Sequence, residues 1–215
     1  MARFVLADDG IRFDGGSISE GPLGGVESSV INLAKELATR GHKVSVHNRC
    51  LEPRNIDGVD WVPIAKGLPE KADLYIANRG DNLIALMPRA RQTVFWVHNP
   101  ANYLLKWRYL SKLWRYNPII VFIGDYHSTT YPSWAPGRER VTIPYGISEE
   151  FRSVECAKGA PLPRAIFTSN PLRSLSWLLD LWTLRIQPFV PNSELHLFSG
   201  SATYGEVGAR KGMEI

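Results

Sequence analysis

Cysteine is almost missing from this chain: Cys50 and Cys156 are the only two in 215 residues. That excludes a disulfide framework, and their spacing suits no metal, so both read as buried thiols. Long apolar runs are missing too. The longest, such as Pro118–Gly124, stop far short of the ~18 residues a membrane span needs. The N-terminus has no basic start, apolar stretch and cleavage site of a signal peptide, and the chain reads as soluble and cytoplasmic. With no zinc-finger spacing, aromatic RNA-binding signature or long Lys/Arg block, nucleic acid is not an expected partner. Gly and Pro form no tract, which excludes collagen and disorder.

What is present is a globular composition, 44% hydrophobic and 21% charged. The length suits one large domain, or one domain and part of another. Twenty-five Lys+Arg against 21 Asp+Glu give a net charge of +4 and a pI of about 9.1. A small phosphate ligand or an anionic membrane surface would each suit that balance.

Short β-rich runs alternate with helical patterns. Arg3–Ala7, Lys43–His47, Asp73–Ala77, Thr93–Val97 and Ile119–Ile123 read as strands, near-continuously apolar as strands buried on both faces should be. The predicted fold is α/β, a Rossmann-like doubly wound parallel sheet. Val26, Val30, Leu33 and Leu37, widened by Ile31, Ala34 and Ala38, mark a core-facing helix ending at Arg40-Gly41-His42, where Gly41 suits a left-handed cap. Val141–Gly146 reads as a strand stopped by Pro and Gly. A domain boundary is predicted near Phe151, giving residues 1–151 and 152–215. Beyond it Arg164–Thr168, Leu172–Ile186 and Glu194–Phe198 read as strand, helix and strand, the start of a second, incomplete α/β unit.

Between the first strand and first helix, the Gly-rich loop Asp8–Leu23 delivers Gly24-Gly25 to the helix start. Unpaired amides and the helix dipole there suit a phosphate; a tight turn with no ligand suits the same residues. The G-x-G-x-x-G spacing of a nicotinamide dinucleotide site is lacking. His98 ends an apolar strand, where a lone histidine is either a hydrogen-bonded structural residue or a site residue. Asn99 follows it. Asp125, Tyr126 and His127 follow the strand Ile119–Ile123 and are candidates for binding ligand hydroxyls or plain loop residues. His42, His47, His127 and His196 show no metal-site spacing.

Four ordered segments carry a resemblance. Gly24-Gly25-Val26-Glu27 with Asn32-Leu33-Ala34 through Arg40-Gly41-His42-Lys43-Val44 resembles the first helix of family-four glycosyltransferases of the GT-B fold. Val97-His98-Asn99 is similar to that family's histidine motif, Val141–Ile147 to its interdomain V-x-x-I-P-N-G-I-D segment, and Ser169–Leu175 to the opening of its nucleotide-sugar domain. The resemblance implies two Rossmann-like domains, the first holding the acceptor and the second a nucleotide-sugar donor. It also implies sugar transfer with retention and needs no metal or other cofactor. It assigns donor-phosphate binding to Gly24, Gly25 and Arg173, and a place beside the donor sugar at the reaction centre to His98.

This chain departs from the family in places. Arg173-Ser174 replaces a Lys-Gly pair, and Tyr145-Gly146 and Ser148 replace Asn-Gly and Asp. Glu206 and Glu214 have the interval of the family's donor-gripping glutamates without the surrounding glycine pattern. The expectation is therefore a weak or inactive transferase as a 215-residue chain. The alternatives are a non-catalytic carbohydrate- or acceptor-binding half-protein and a nucleotide-sugar epimerase.

Tyr103–Tyr116 reads as a basic amphipathic helix with Leu104, Trp107, Leu110 and Trp114 on one face and Arg108, Lys112 and Arg115 on another. It either lies on an anionic membrane surface, near a lipid-linked acceptor, or packs its apolar stripe on its own sheet. The open strands of the second unit predict self-association.

Overall fold

The computed structural model describes residues 1–21, 23–147, 149–153, 162–172 and 174–199. Within them the chain forms two compact units, the first ending at Gly146.

The first unit is a sheet of eight strands: β1 (Arg3–Asp8), β2 (Lys43–Asn48), β3 (Arg54–Ile56), β4 (Val59–Pro63), β5 (Leu74–Asn78), β6 (Gln92–Trp96), β7 (Ile119–Phe122) and β8 (Glu139–Thr142). Their order is β3-β4-β2-β1-β5-β6-β7-β8. Every pair is parallel except β3 with β4. The doubly wound α/β reading is what the sheet shows. Sequence reasoning passed over β3 and β4. Between them Asp57 (φ 53°) and Gly58 (φ 77°) are both left-handed, the geometry of a two-residue Asp-Gly hairpin.

Helix α1 (Gly25–Thr39) packs on β2 and β4 with Val30, Ile31 and Ala34 buried. It ends as its sequence dictates: Gly41 sits at φ 81°, and the His42 amide reaches back to the Leu37 carbonyl at 3.2 Å. The opposite face of the sheet carries the larger core, in which Val5, Ala7, Tyr75, Ala77, Phe95, Val97, Ile120 and Phe122 meet Leu83, Ile84, Leu104 and Leu113.

The segment predicted as one helix over Tyr103–Tyr116 is broken. Ala101–Leu105 is a 3-10 turn, Lys106 is extended (φ −65°, ψ 138°), and α2 runs only over Trp107–Tyr116. The predicted apolar stripe is corrected with it. Tyr109 and Leu113 face the core, while Trp107 and Trp114 are 73% and 70% exposed. The break at Lys106 rotates the helix relative to Leu104, which stays in the core. A short helix, α3 (Asp125–Thr129), follows β7.

In the second unit β9 (Arg164–Phe167) pairs in parallel with β10 (Glu194–Leu197), joined through α4 (Leu175–Leu181) and a π-helical extension over Trp182–Ile186. No residue of α4 is buried. Of the two cysteines, Cys50 is buried and free, and Cys156 lies outside the described residues.

Candidate active site

Strand order reverses at β1: the chain runs outward through β2, β4 and β3 on one side and through β5 to β8 on the other. Doubly wound sheets bind ligands at the carboxyl ends of the strands flanking such a reversal. There the apolar runs end in polar residues. Asp8 lies opposite Asn78 in register, and Asn78 opposite Trp96, two residues before His98. Asp8 and Asn78 are fully buried and His98 is 9% exposed. Polar groups placed so deeply must be paired.

They are paired in a chain with one direction. The Asn78 amide Nδ2 donates to Asp8 Oδ2 at 2.5 Å. A carboxylate only accepts, so Asn78 must turn its nitrogen toward Asp8 and its carbonyl toward His98. That carbonyl also only accepts, which puts the proton of His98 on Nε2, 2.5 Å from Asn78 Oδ1. Nδ1 is left as an acceptor and takes the Tyr145 hydroxyl proton across 2.6 Å. The Tyr145 ring stacks on the imidazole at 5.9 Å and 11°. Burial, reinforced by the charges of Arg79 and His127, pushes the His98 pKa down to about 3. His98 is therefore a neutral imidazole with both nitrogens engaged. It orients; it has no free nitrogen for a substrate proton.

Arg79 anchors the Asp8 end. Its Nη2 donates to Asp8 Oδ1 at 3.0 Å and to Glu27 Oε1 of α1 at 2.6 Å. Burial pulls the guanidinium pKa down, and the Asp8 and Glu27 carboxylates more than offset that. Its backbone is left-handed (φ 56°). A Cβ on Gly10 would clash with the Arg79 guanidinium, and one on Gly80 with the Asp9 carboxylate. Burial first, then the neighbouring Asp8, raises the pKa of Asp9.

The residues singled out from sequence fall as follows. Gly25 opens α1 and is exposed, and a Cβ there would meet no atom within 4 Å. Packing does not require a glycine at Gly25; an unobstructed approach to the helix-start amides is what it leaves. Gly24, half-buried and counted with the second unit, precedes it in the chain. Arg173 lies outside the described residues. Asn99, Asp125 and Tyr126 are exposed beyond β6 and β7. His127 is buried, donates Nε2–H to the Asn99 carbonyl at 2.6 Å and accepts the Ile123 amide on Nδ1 at 3.2 Å. It holds the segment after His98 in place. Sequence reasoning missed Asp8, Glu27, Asn78, Arg79 and Tyr145 as members of this network. The signal was charge and amide at the ends of apolar strands, Asp8-Asp9-Gly10 and Asn78-Arg79-Gly80.

A model of Glycosyltransferase Family 4 matches residues 23–182, about three quarters of the chain. The chain belongs to glycosyltransferase family 4. No curated protein matches it. In this family-4 glycosyltransferase the matched region takes in Gly24, Gly25, Glu27, Asn78, Arg79, His98 and Tyr145, so the family covers the elements that build the site; Asp8 alone precedes it.

Proposed function

We propose that the chain moves a sugar from a nucleoside diphosphate-sugar to an acceptor hydroxyl with retention of anomeric configuration. The observation carrying this reading is the polar chain Asp8–Asn78–His98–Tyr145 at the sheet's switch point, beside the open start of α1. The Gly25 amide would meet the donor diphosphate with the positive end of a 15-residue helix behind it, and the family resemblance assigns Gly24 and Arg173 to the same diphosphate. A leaving diphosphate gains charge as the glycosidic bond breaks, and fixed amide dipoles stabilise that charge without reorganising. The departing phosphate oxygen takes the proton of the attacking hydroxyl on the same sugar face. No protein nucleophile or metal is invoked.

In this account His98 orients Tyr145, and Tyr145 meets the sugar. The neutral ring is fixed by Asn78, and Tyr145 is the exposed end of the chain, 39% accessible. Asn99, Asp125 and Tyr126, all exposed, are assigned the acceptor hydroxyls in this reading. The acceptor is a carbohydrate, free or lipid-linked. The membrane reading rests on Trp107 and Trp114, exposed seven residues apart on α2 with Lys106, Arg108 and Arg115 nearby.

The test is turnover of the full chain over a panel of nucleoside diphosphate-sugars and oligosaccharide acceptors, with NMR of the product's anomeric configuration. Weak turnover is expected, with the product keeping the donor's configuration. An epimerised donor formed without any acceptor, or acceptor binding with no nucleotide affinity, would contradict the proposal.

A further inference from the structure

A second site lies away from the His98 network, on the β2–β4 end of the sheet. Strand register fixes its face: Ser45 and His47 pair with Val5 and Ala7 on one side and with Asp60 and Val62 on the other. Side chains alternate along a strand, so these residues point to the face opposite α1. There Ser45, His47, Asp60 and Val62 line a groove of about 990 Å³, bordered by the segment Lys66–Pro69.

The groove is cationic. Arg3 and Lys43, in register with each other, stand at the amino ends of β1 and β2, and Lys66 stands at the other end beside His47. Among the described residues none of the three long cations forms a side-chain ion pair. The two ends are four residues apart along β2, roughly 13 Å at about 3.3 Å per residue. Asp60 is the one carboxylate in the lining, with one oxygen taking the Asn55 amide at 2.7 Å. His47 is 5% exposed beneath this lining, its Nε2 3.2 Å from the Ser45 hydroxyl and its ring against the Gly67 carbonyl.

We infer that this groove binds an anionic saccharide chain, a run of sugar residues carrying carboxylate or phosphate groups. Cations at the two ends match charges spaced along a chain. A compact polyphosphate would bring its charge against Asp60, whereas a sugar hydroxyl donates to that carboxylate. The apolar surfaces of Val62, Leu68 and Pro69 suit the faces of sugar rings. The inference concerns binding and stands whether or not the chain transfers sugar.

Calorimetric titration of the full chain at low salt tests it, with tetragalacturonate, neutral maltotetraose and inorganic tripolyphosphate as probes. Tetragalacturonate is expected to bind at least about tenfold more tightly than maltotetraose, weakening as salt rises. The double substitution Lys43→Ala with Lys66→Ala removes two exposed cations, and circular dichroism checks that the fold persists. It is expected to lower tetragalacturonate affinity by about tenfold. Equal affinity for the two tetrasaccharides, unchanged affinity in the double variant, or binding of tripolyphosphate alone would each overturn the inference.

Discussion

At the scale of single residues, the site is a set of buried polar groups whose arrangement leaves each one a single role. Arg79 lies between two buried carboxylates, Asp8 and Glu27. Replacing it by Met strands both charges, and a loss of about 3–5 kcal/mol in urea unfolding is expected. A loss below about 1 kcal/mol would mean that solvent already screens the cluster. His98 sets a pH dependence. Its folded pKa of about 3 lies below the ordinary imidazole value of 6.5, so between those pH values the unfolded chain binds more protons. Stability from this group is full above pH 6.5 and falls as pH drops toward 3, by up to about 1.4 kcal/mol per unit. Denaturation across that window should show a steeper decline in the native chain than in His98→Gln. Parallel curves would contradict a buried neutral imidazole.

Among the elements, α2 carries the most direct prediction. Its core face is Tyr109 and Leu113; Trp107 and Trp114 remain exposed, and Lys112 is tied to Asp81 at 2.6 Å. In flotation assays the chain is expected to associate with vesicles containing anionic lipid and not with neutral ones. Trp107→Ala with Trp114→Ala should abolish that association without lowering stability. Retention by the double variant would assign the tryptophans to another role.

Legibility in the sequence differed among elements for physical reasons. The buried parallel strands and α1 announced themselves because both faces of the sheet are covered and α1 has a Gly41 stop. The β3–β4 hairpin did not, since Arg54–Ile56 is three residues long and mostly polar, although Asp57-Gly58 marked its turn. On α2 periodicity suggested the wrong face, because the extended residue Lys106 breaks the phase between Leu104 and Trp107. For the candidate site, motifs named His98 and Gly25, and the structure puts His98 in the buried polar network and Gly25 at the exposed start of α1. Asp8, Asn78 and Arg79 were not, because β1 and β5 lie 70 residues apart in sequence and meet only through the strand-order reversal.

For the molecule as a whole, the second unit carries an association hazard. Trp177, Leu184 and Phe189 are 63%, 69% and 80% exposed. Large apolar side chains exposed to this degree favour contact between copies. Sedimentation velocity is expected to show association growing with concentration, reduced by Leu184→Lys with Phe189→Lys. A single monomeric boundary up to about 100 μM would contradict it.

The α1 start and the His98 network are joined in the proposed account of sugar transfer, and a nuclear magnetic resonance titration tests that account most directly. Nucleoside diphosphate-sugars are added to isotope-labelled full chain while the Gly25 amide, the His98 ring nitrogens and the Tyr145 ring are followed. The account predicts saturable shifts at all three, with His98 keeping its proton on Nε2. Shifts confined to other surfaces, or none with any donor, would contradict it.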